Sequence, residues 1–378
     1  MAKKFDISLT DSQATEVEPI HTNDFDFAEY KEYTEMLNKN CEMFWKADSG
    51  VLVYRRMRVA ECFSYGCKDM EHSLHLQLGA IKASIKFKAD IPNFLEPWYG
   101  IGTISSAFGG EYLWHQRNAP ALQARFSTLQ EVLDYEPTPV AKTTIGKHTL
   151  EMIRFFMDKT EGLLPISLTD SQSPLNMVGH LCPIDGFFMD MIMAPEKVRQ
   201  LFKILADLSI EFNAEQIKLI GEALASPGHG FASSRAWKGL GMSDDNSIMI
   251  SPGQYTEMAA PAVKRICYKL GGPAFHSCGN WEPWIDAVLN IDGLIMADGA
   301  FSPETDPNAI TAFESFHKFK NTGVILHARI VGNLEVIEER VQRIWTPGMK
   351  LIVVTYCKTP EEQAEAYKRI HEICNRGI

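Results

Sequence analysis

The sequence predicts an α/β protein whose body, residues 51–378, is a (β/α)8 TIM barrel, preceded by an N-terminal helical or irregular extension over residues 1–50. Three observations predict it. Short, fully apolar runs alternate with amphipathic segments through the second half of the chain, as a parallel sheet covered by helices requires. No Gly-x-Gly-x-x-Gly follows any of these runs, which removes the main signature of an open dinucleotide-binding sheet. Polar residues gather at the ends of the runs, where a barrel carries its chemistry: Asp170, Asp244, Asp245, His276, Cys278, Asp298, His327 and Cys357.

The elements follow in order. Residues 1–50 are polar and aromatic without a repeated period. LLPISLT (163–169) reads as a strand ending at Asp170, with SQSP as the turn after it. Val198, Leu201, Phe202, Leu205, Leu208 and Phe212 recur at helical spacing and give one apolar face. FASSRAWKGL (231–240) reads as a strand leading to Asp244 and Asp245. PAFHS (273–277), GLIMA (293–297), GVILHARI (323–330) and KLIVVTY (350–356) read as strands. WEPWIDAVLN (281–290), NAITAFESFHKF (308–319) and LEVIEERVQRIW (334–345) read as the helices between them. The last helix opens at Thr359-Pro360-Glu361-Glu362, with Thr359 as N-cap, proline at the first helical position and Glu362 closing a capping box.

Composition narrows the function. The chain has 378 residues, 45% hydrophobic and 22% charged, the balance of a globular protein with a substantial core. No signal peptide and no apolar run of the ~20 residues a membrane span needs is present, so a cytoplasmic protein without a membrane partner is expected. The net charge of −11, with scattered Lys and Arg, argues against a nucleic-acid partner, although a local basic pocket for an anionic substrate stays compatible with it. Eight cysteines in a large chain without a secretory signal argue against a disulfide framework.

Two of those cysteines have the setting of a metal site. His276-Ser277-Cys278 closes one predicted strand, and alternate residues of an extended segment project to one side, so imidazole and thiolate can converge on one ion. Gly279-Asn280 follows as a turn pair, and Cys357 holds the equivalent exit of the last strand. Three N/S ligands suit zinc and leave a position open for substrate. Taken alone, these residues equally allow core thiols and a hydrogen-bonded core histidine.

HSCGN (276–280) and YCKTPEE (356–362) resemble the zinc segments of the uroporphyrinogen-decarboxylase-like superfamily, in its corrinoid-dependent methyltransferase branch, which includes methylcobamide:coenzyme M methyltransferases. GMSDDNSIMISPGQY (241–255) and LTDSQSPLNM (168–177) resemble further segments of that family, so the resemblance covers about residues 160–378. It implies a (β/α)8 barrel, zinc on His276, Cys278 and Cys357, and a methyl group passed to or from the cobalt of a corrinoid (methylcobalamin) carried by a partner protein. The small substrate is expected to be a zinc-activated thiol; an aryl methyl ether, demethylated in the reverse sense, is the alternative. A uroporphyrinogen decarboxylase is the third reading, but YRRMRVA (54–60) does not match that enzyme's arginine motif. No Asp-x-His-x-x-Gly motif is present, so the chain is not expected to carry the corrinoid itself. A homo-oligomer is compatible with all of these.

The remaining candidates each have two readings. Asp244 or Asp245 serves as an exchangeable fourth ligand or orients His276, or the pair is a solvated loop. Asp170 is a substrate-facing carboxylate or a helix cap. His327 faces the substrate from its strand or is a core histidine. Trp98 and Tyr99 open an aromatic, glycine-rich stretch (96–115) that forms a substrate wall or a buried loop. His72 and His75 read as surface residues of a helix.

Overall fold

The computed structural model describes residues 13–114 and 119–375. His115 of the aromatic stretch, residues 1–12 of the extension and residues 376–378 lie outside these. The described residues contain eight strands. β1 (Gly50–Arg55), β4 (Leu240–Ser243), β5 (Pro273–His276), β6 (Met296–Ala300), β7 (Ile325–Ile330) and β8 (Lys350–Thr355) form one parallel sheet in the order β1-β8-β7-β6-β5-β4. β2 (Tyr112–Leu113) and β3 (Ala121–Leu122) form a small antiparallel hairpin apart from it.

Three irregular staves carry the parallel pairing from β4 back to β1. Leu95 pairs Ile166, Ile166 pairs Leu224, and Gln172 pairs Ser243, all parallel. Asp90 N–H donates to the Val53 carbonyl at 2.8 Å and reaches β1. The irregularity has a cause in the sequence. Pro92, Pro97, Pro165 and Pro227 stand in or beside these staves, and each removes a donor from the ladder. The result is a closed (β/α)8 barrel in which the contacts of staves two to four are single bridges rather than strands.

The helices cover it as their patterns require. The helix Pro195–Ile220 buries Val198, Leu201, Phe202, Leu205, Leu208 and Phe212. The helix Phe27–Lys46, capped by the Asp26 carboxylate on Glu29 N–H, buries Tyr30, Leu37, Cys41 and Phe44 in the N-terminal region. The helix Pro360–Asn375 starts at Thr359, whose hydroxyl accepts from Glu362 N–H at 3.2 Å. Its Glu362 carboxylate reaches back to Lys358 N–H rather than to Thr359, one residue beyond the expected box. Among the described residues no helix is long and apolar enough to cross a membrane.

Several boundaries differ from the sequence reading. β6 begins at Met296 and runs on through Asp298, whereas the apolar pattern stopped at Ala297. The strand expected over 231–240 is only β4, starting at Leu240; Ser234 instead bridges Ser226 in an antiparallel turn. The helix expected over 308–319 is a 3-10 helix, Phe313–Phe319. Its buried Phe313, Phe316 and Phe319 recur every third residue, the period at which 3-10 side chains eclipse.

That aromatic ladder braces Asp298 of β6. Phe316 is fully buried, with its ring 5.1 Å from Trp281 and 5.0 Å from Phe301, and the Trp281 indole N–H donates to the Asp298 carbonyl at 2.9 Å. Phe316→Ala should therefore destabilise the protein by roughly 3–5 kcal/mol, measured as a lowered urea midpoint. A loss below about 1 kcal/mol would show that this ladder is not part of the cooperative core.

Candidate metal centre

One register line across the barrel wall builds the site. Ser243, His276, Asp298 and His327 are paired neighbours on β4, β5, β6 and β7, and Gln172 of the third stave bridges Ser243, so their side chains share one layer. Asp298 is the hub of this layer and is 1% exposed. One of its carboxylate oxygens meets His276 Nδ1 at 2.5 Å, and the other meets His327 Nδ1 at 2.6 Å. Arg329 Nε donates to both oxygens at 3.0 Å. Burial opposes the charge on Asp298, but Arg329 and the two imidazoles outweigh it and hold its carboxyl well below the usual range.

His327 is committed by these bonds. Its Nε2 accepts from Ala232 N–H at 2.9 Å while Nδ1 faces Asp298, and the ring is fully buried. Burial lowers its pKa and outweighs the Asp298 carboxylate, which raises it, while Arg329 and Arg56 add to the lowering, so it is a neutral wall residue. His327, expected at the substrate, has both ring nitrogens engaged inside the wall.

His276 is oriented in the opposite sense. With Nδ1 held by Asp298, its Nε2 faces Cys278 Sγ at 3.6 Å and an Asp245 oxygen at 3.5 Å. One ligand atom from each of Asp245, His276 and Cys278 lies within 4.8 Å of the other two. Burial alone would depress His276, yet its hydrogen bond to the Asp298 carboxylate, its contact with Cys278 and the charge of both carboxylates raise its pKa well above the ordinary value. Asp245 is fixed by Cys278 N–H at 2.8 Å and by the Asn176 amide at 3.0 Å. Burial opposes its ionisation, but His276 and these donors keep its pKa low.

A nitrogen, a thiol sulfur and a carboxylate converging at this range are a donor set that suits zinc. The carboxylate behind His276 is the arrangement that fixes a metal-bound imidazole's tautomer. Among the described residues, this three-residue group does not include Cys357. Cys357 stands two residues beyond β8, and its carbonyl accepts from Arg55 Nε at 2.9 Å. Its thiol is buried, and burial pushes it up to about 11.

The other candidates are placed as follows. Asp244 is buried, takes a hydrogen bond from Ser173 Oγ at 2.6 Å, and is pushed by burial up to about 7. Asp170 is buried against the Gln172 amide; burial raises its pKa, while His229 and His276 pull the other way. Trp98 is buried with its ring 4.4 Å from that of His229. Tyr99 is buried and lines a separate cavity of about 690 Å³ with Lys68, Trp114 and His148.

Beside His276 lies a polar cavity of about 350 Å³, lined by Gln13, Arg56, Arg58, His229, Gly230, Phe231, Ser243 and Arg329. Sequence reasoning gave none of the arginines, nor His229, a role. Arg56 and Arg58 did carry a signal, two residues apart just past β1, where alternate side chains point to one side. His229 sits in Pro-Gly-His-Gly, where Gly228 (φ +119°) and Gly230 (φ +84°) adopt turns that L-residues avoid.

The comparisons with known proteins agree with this architecture. A methyltransferase from Methanosarcina mazei has a similar structure, with a TM-score of 0.60 and 14% sequence identity, over 90% of this chain and 98% of that one. No curated protein sequence matches the chain. The family profile for uroporphyrinogen decarboxylase (URO-D) matches residues 50–367, from the start of β1 into the last helix, and the chain therefore belongs to that family.

Proposed function

We propose that the protein is a zinc-dependent methyltransferase that moves a methyl group between the cobalt of a corrinoid, held by a partner protein, and a small thiol carrying an anionic group. The observation that carries this reading is the convergence of Asp245, His276 and Cys278 beside an arginine-lined cavity. The similarity to a methyltransferase from Methanosarcina mazei supports it.

His276 and Cys278 would hold the metal, with Cys357 as the third lasting ligand that the resemblance of YCKTPEE implies and Asp245 as the ligand that substrate displaces. Zinc bound there would lower the pKa of a thiol and so supply a nucleophile at neutral pH. The chain's own residues supply position. Asp298 fixes the His276 ring, and Arg56, Arg58 and Arg329 offer guanidinium donors to the substrate's anionic end. The acidic chain as a whole thus keeps a local cationic pocket.

The same arginines would suit a polycarboxylate, the substrate class of a decarboxylase. A volume of about 350 Å³ lies at the small end of ligand pockets, roughly 300–1,000 Å³. It favours a small substrate over a macrocycle. An aryl methyl ether is the less favoured donor, because Phe231 is the only benzenoid ring among the lining residues and Trp98 packs behind His229.

Two tests follow. As purified, the protein should hold about one zinc per chain, and Cys278→Ala should lose most of it. Cys357→Ala decides the ligand set: loss of zinc supports the sulfur pair, whereas full retention would make Asp245 the third lasting ligand. Full zinc in both variants would overturn the site.

The second concerns pH and the residue behind the ligand. Protonated His276 competes with the metal, and its raised pKa extends that competition above the ~6.5 of an ordinary imidazole. Zinc affinity should therefore keep rising with pH beyond neutrality. Asp298→Asn should lower affinity at pH 8 by roughly 10–100-fold and move the pH dependence to lower pH, both measured by competition with a chelating dye. Unchanged affinity would remove Asp298 from the metal site.

A further inference from the structure

We infer that His229, backed by Glu96, is the base that takes the substrate thiol's proton, an inference that rests on the methyltransferase reading above. The His229 ring lines the same cavity as His276, on a loop whose two glycines turn it inward. Its Nδ1 pairs with Glu96 at 3.1 Å, and its face packs on Trp98, which leaves Nε2 for the cavity. The loop is tied down by Ala232 N–H on His327 and by Gly228 N–H on Ser233 Oγ, so the ring is held rather than free.

Glu96 is the partner such a base needs. Burial opposes its ionisation, but His229, and Arg56 at 3.8 Å, keep its carboxyl below the usual range. A carboxylate on Nδ1 accepts that N–H, places the lone pair on Nε2, and stabilises the imidazolium that forms. The charged groups around His229 are Glu96 and Arg56 from the second stave and the segment after β1, Asp170 from the third stave, and Arg58, Arg329 and His276 around the cavity. The arginines oppose a new positive charge, and the Glu96 and Asp170 carboxyls favour it.

The step balances. The S–H bond of the thiol breaks, its electron pair stays on sulfur, and the proton bonds to His229 Nε2. The sulfur then takes the methyl carbon as the carbon–cobalt bond breaks. That bond's pair stays with the metal of the methylated corrinoid, reducing it from Co(III) to Co(I). His229 returns its proton to solvent through the cavity mouth. None of the other cavity residues offers a neutral base at this position: three are arginines, and His276 is taken by the metal site.

The test uses the zinc-loaded protein, methylcobalamin and a mercapto-carboxylate. His229→Ala should keep its zinc, methylate the thiol at least 100-fold more slowly, and recover when imidazole is added. In weakly buffered solution, native protein should release less than one proton per thiol bound, because the proton passes to the His229 ring. His229→Gln, which keeps a hydrogen-bonding group beside Glu96, should release a full proton and stay slow. Glu96→Gln should shift the acid limb of the native rate profile to lower pH. Native-like turnover in both His229 variants, unchanged proton release, or slow variants that imidazole does not rescue would overturn the role of His229 while leaving the methyltransferase reading intact. Native protein that neither methylates thiols nor releases protons on binding them would overturn both.

Discussion

A single buried carboxylate organises one end of this barrel. Asp298 joins His276, His327 and Arg329 across three adjacent strands, β5, β6 and β7. Placing a carboxylate at 1% exposure is costly unless its charge is met, and here two imidazole nitrogens and a guanidinium meet it. The arrangement sorts two similar histidines into different tasks. His327, closed at Nε2 by Ala232 N–H, becomes part of the wall, and His276, with Nε2 free of backbone partners, faces Asp245 and Cys278. Truncating such a hub would leave Arg329 as an uncompensated buried charge, a change worth roughly 3–5 kcal/mol.

The layer above the hub divides charge by position. Asp245 lies on the His276 face, where carboxylate and thiol converge, and Arg56, Arg58 and Arg329 line the adjoining cavity. A substrate with a soft nucleophile at one end and an anion at the other matches both poles at once. Arg329 belongs to both halves, since it neutralises Asp298 and also lines the cavity. The position of the cavity is thereby tied to the orientation of the His276 ring.

How much of this the sequence showed depends on where each residue's partner lies. Runs such as Lys350–Thr355, buried throughout, carry their own signal because every side chain obeys one rule. β6 does not: its Asp298 reads as a strand end, and only the partners on β5 and β7 explain how the strand runs through it. The His-x-Cys pair was legible because its two members share one strand end. The convergence of Asp245 with them rests on the pairing of β4 with β5, which no local pattern encodes. The arginine cavity and His229 were missed for the same reason, since they join the segment after β1, the second stave, a glycine loop and β7. Proline beside the staves at Leu95 and Leu224 also hid two barrel positions that a period-two pattern would have marked, whereas the run 163–169 stayed legible despite Pro165.

The central claim is that sulfur and nitrogen from this strand-end site hold zinc with one exchangeable position. Zinc-edge X-ray absorption of the native protein, before and after addition of a mercapto-carboxylate, tests it most directly. The account predicts a resting shell containing protein sulfur together with lighter nitrogen and oxygen donors, and a gain of one sulfur at the expense of one oxygen when the thiol binds. A shell of nitrogen and oxygen alone, or a sulfur count unchanged by a thiol that the enzyme methylates, would contradict it.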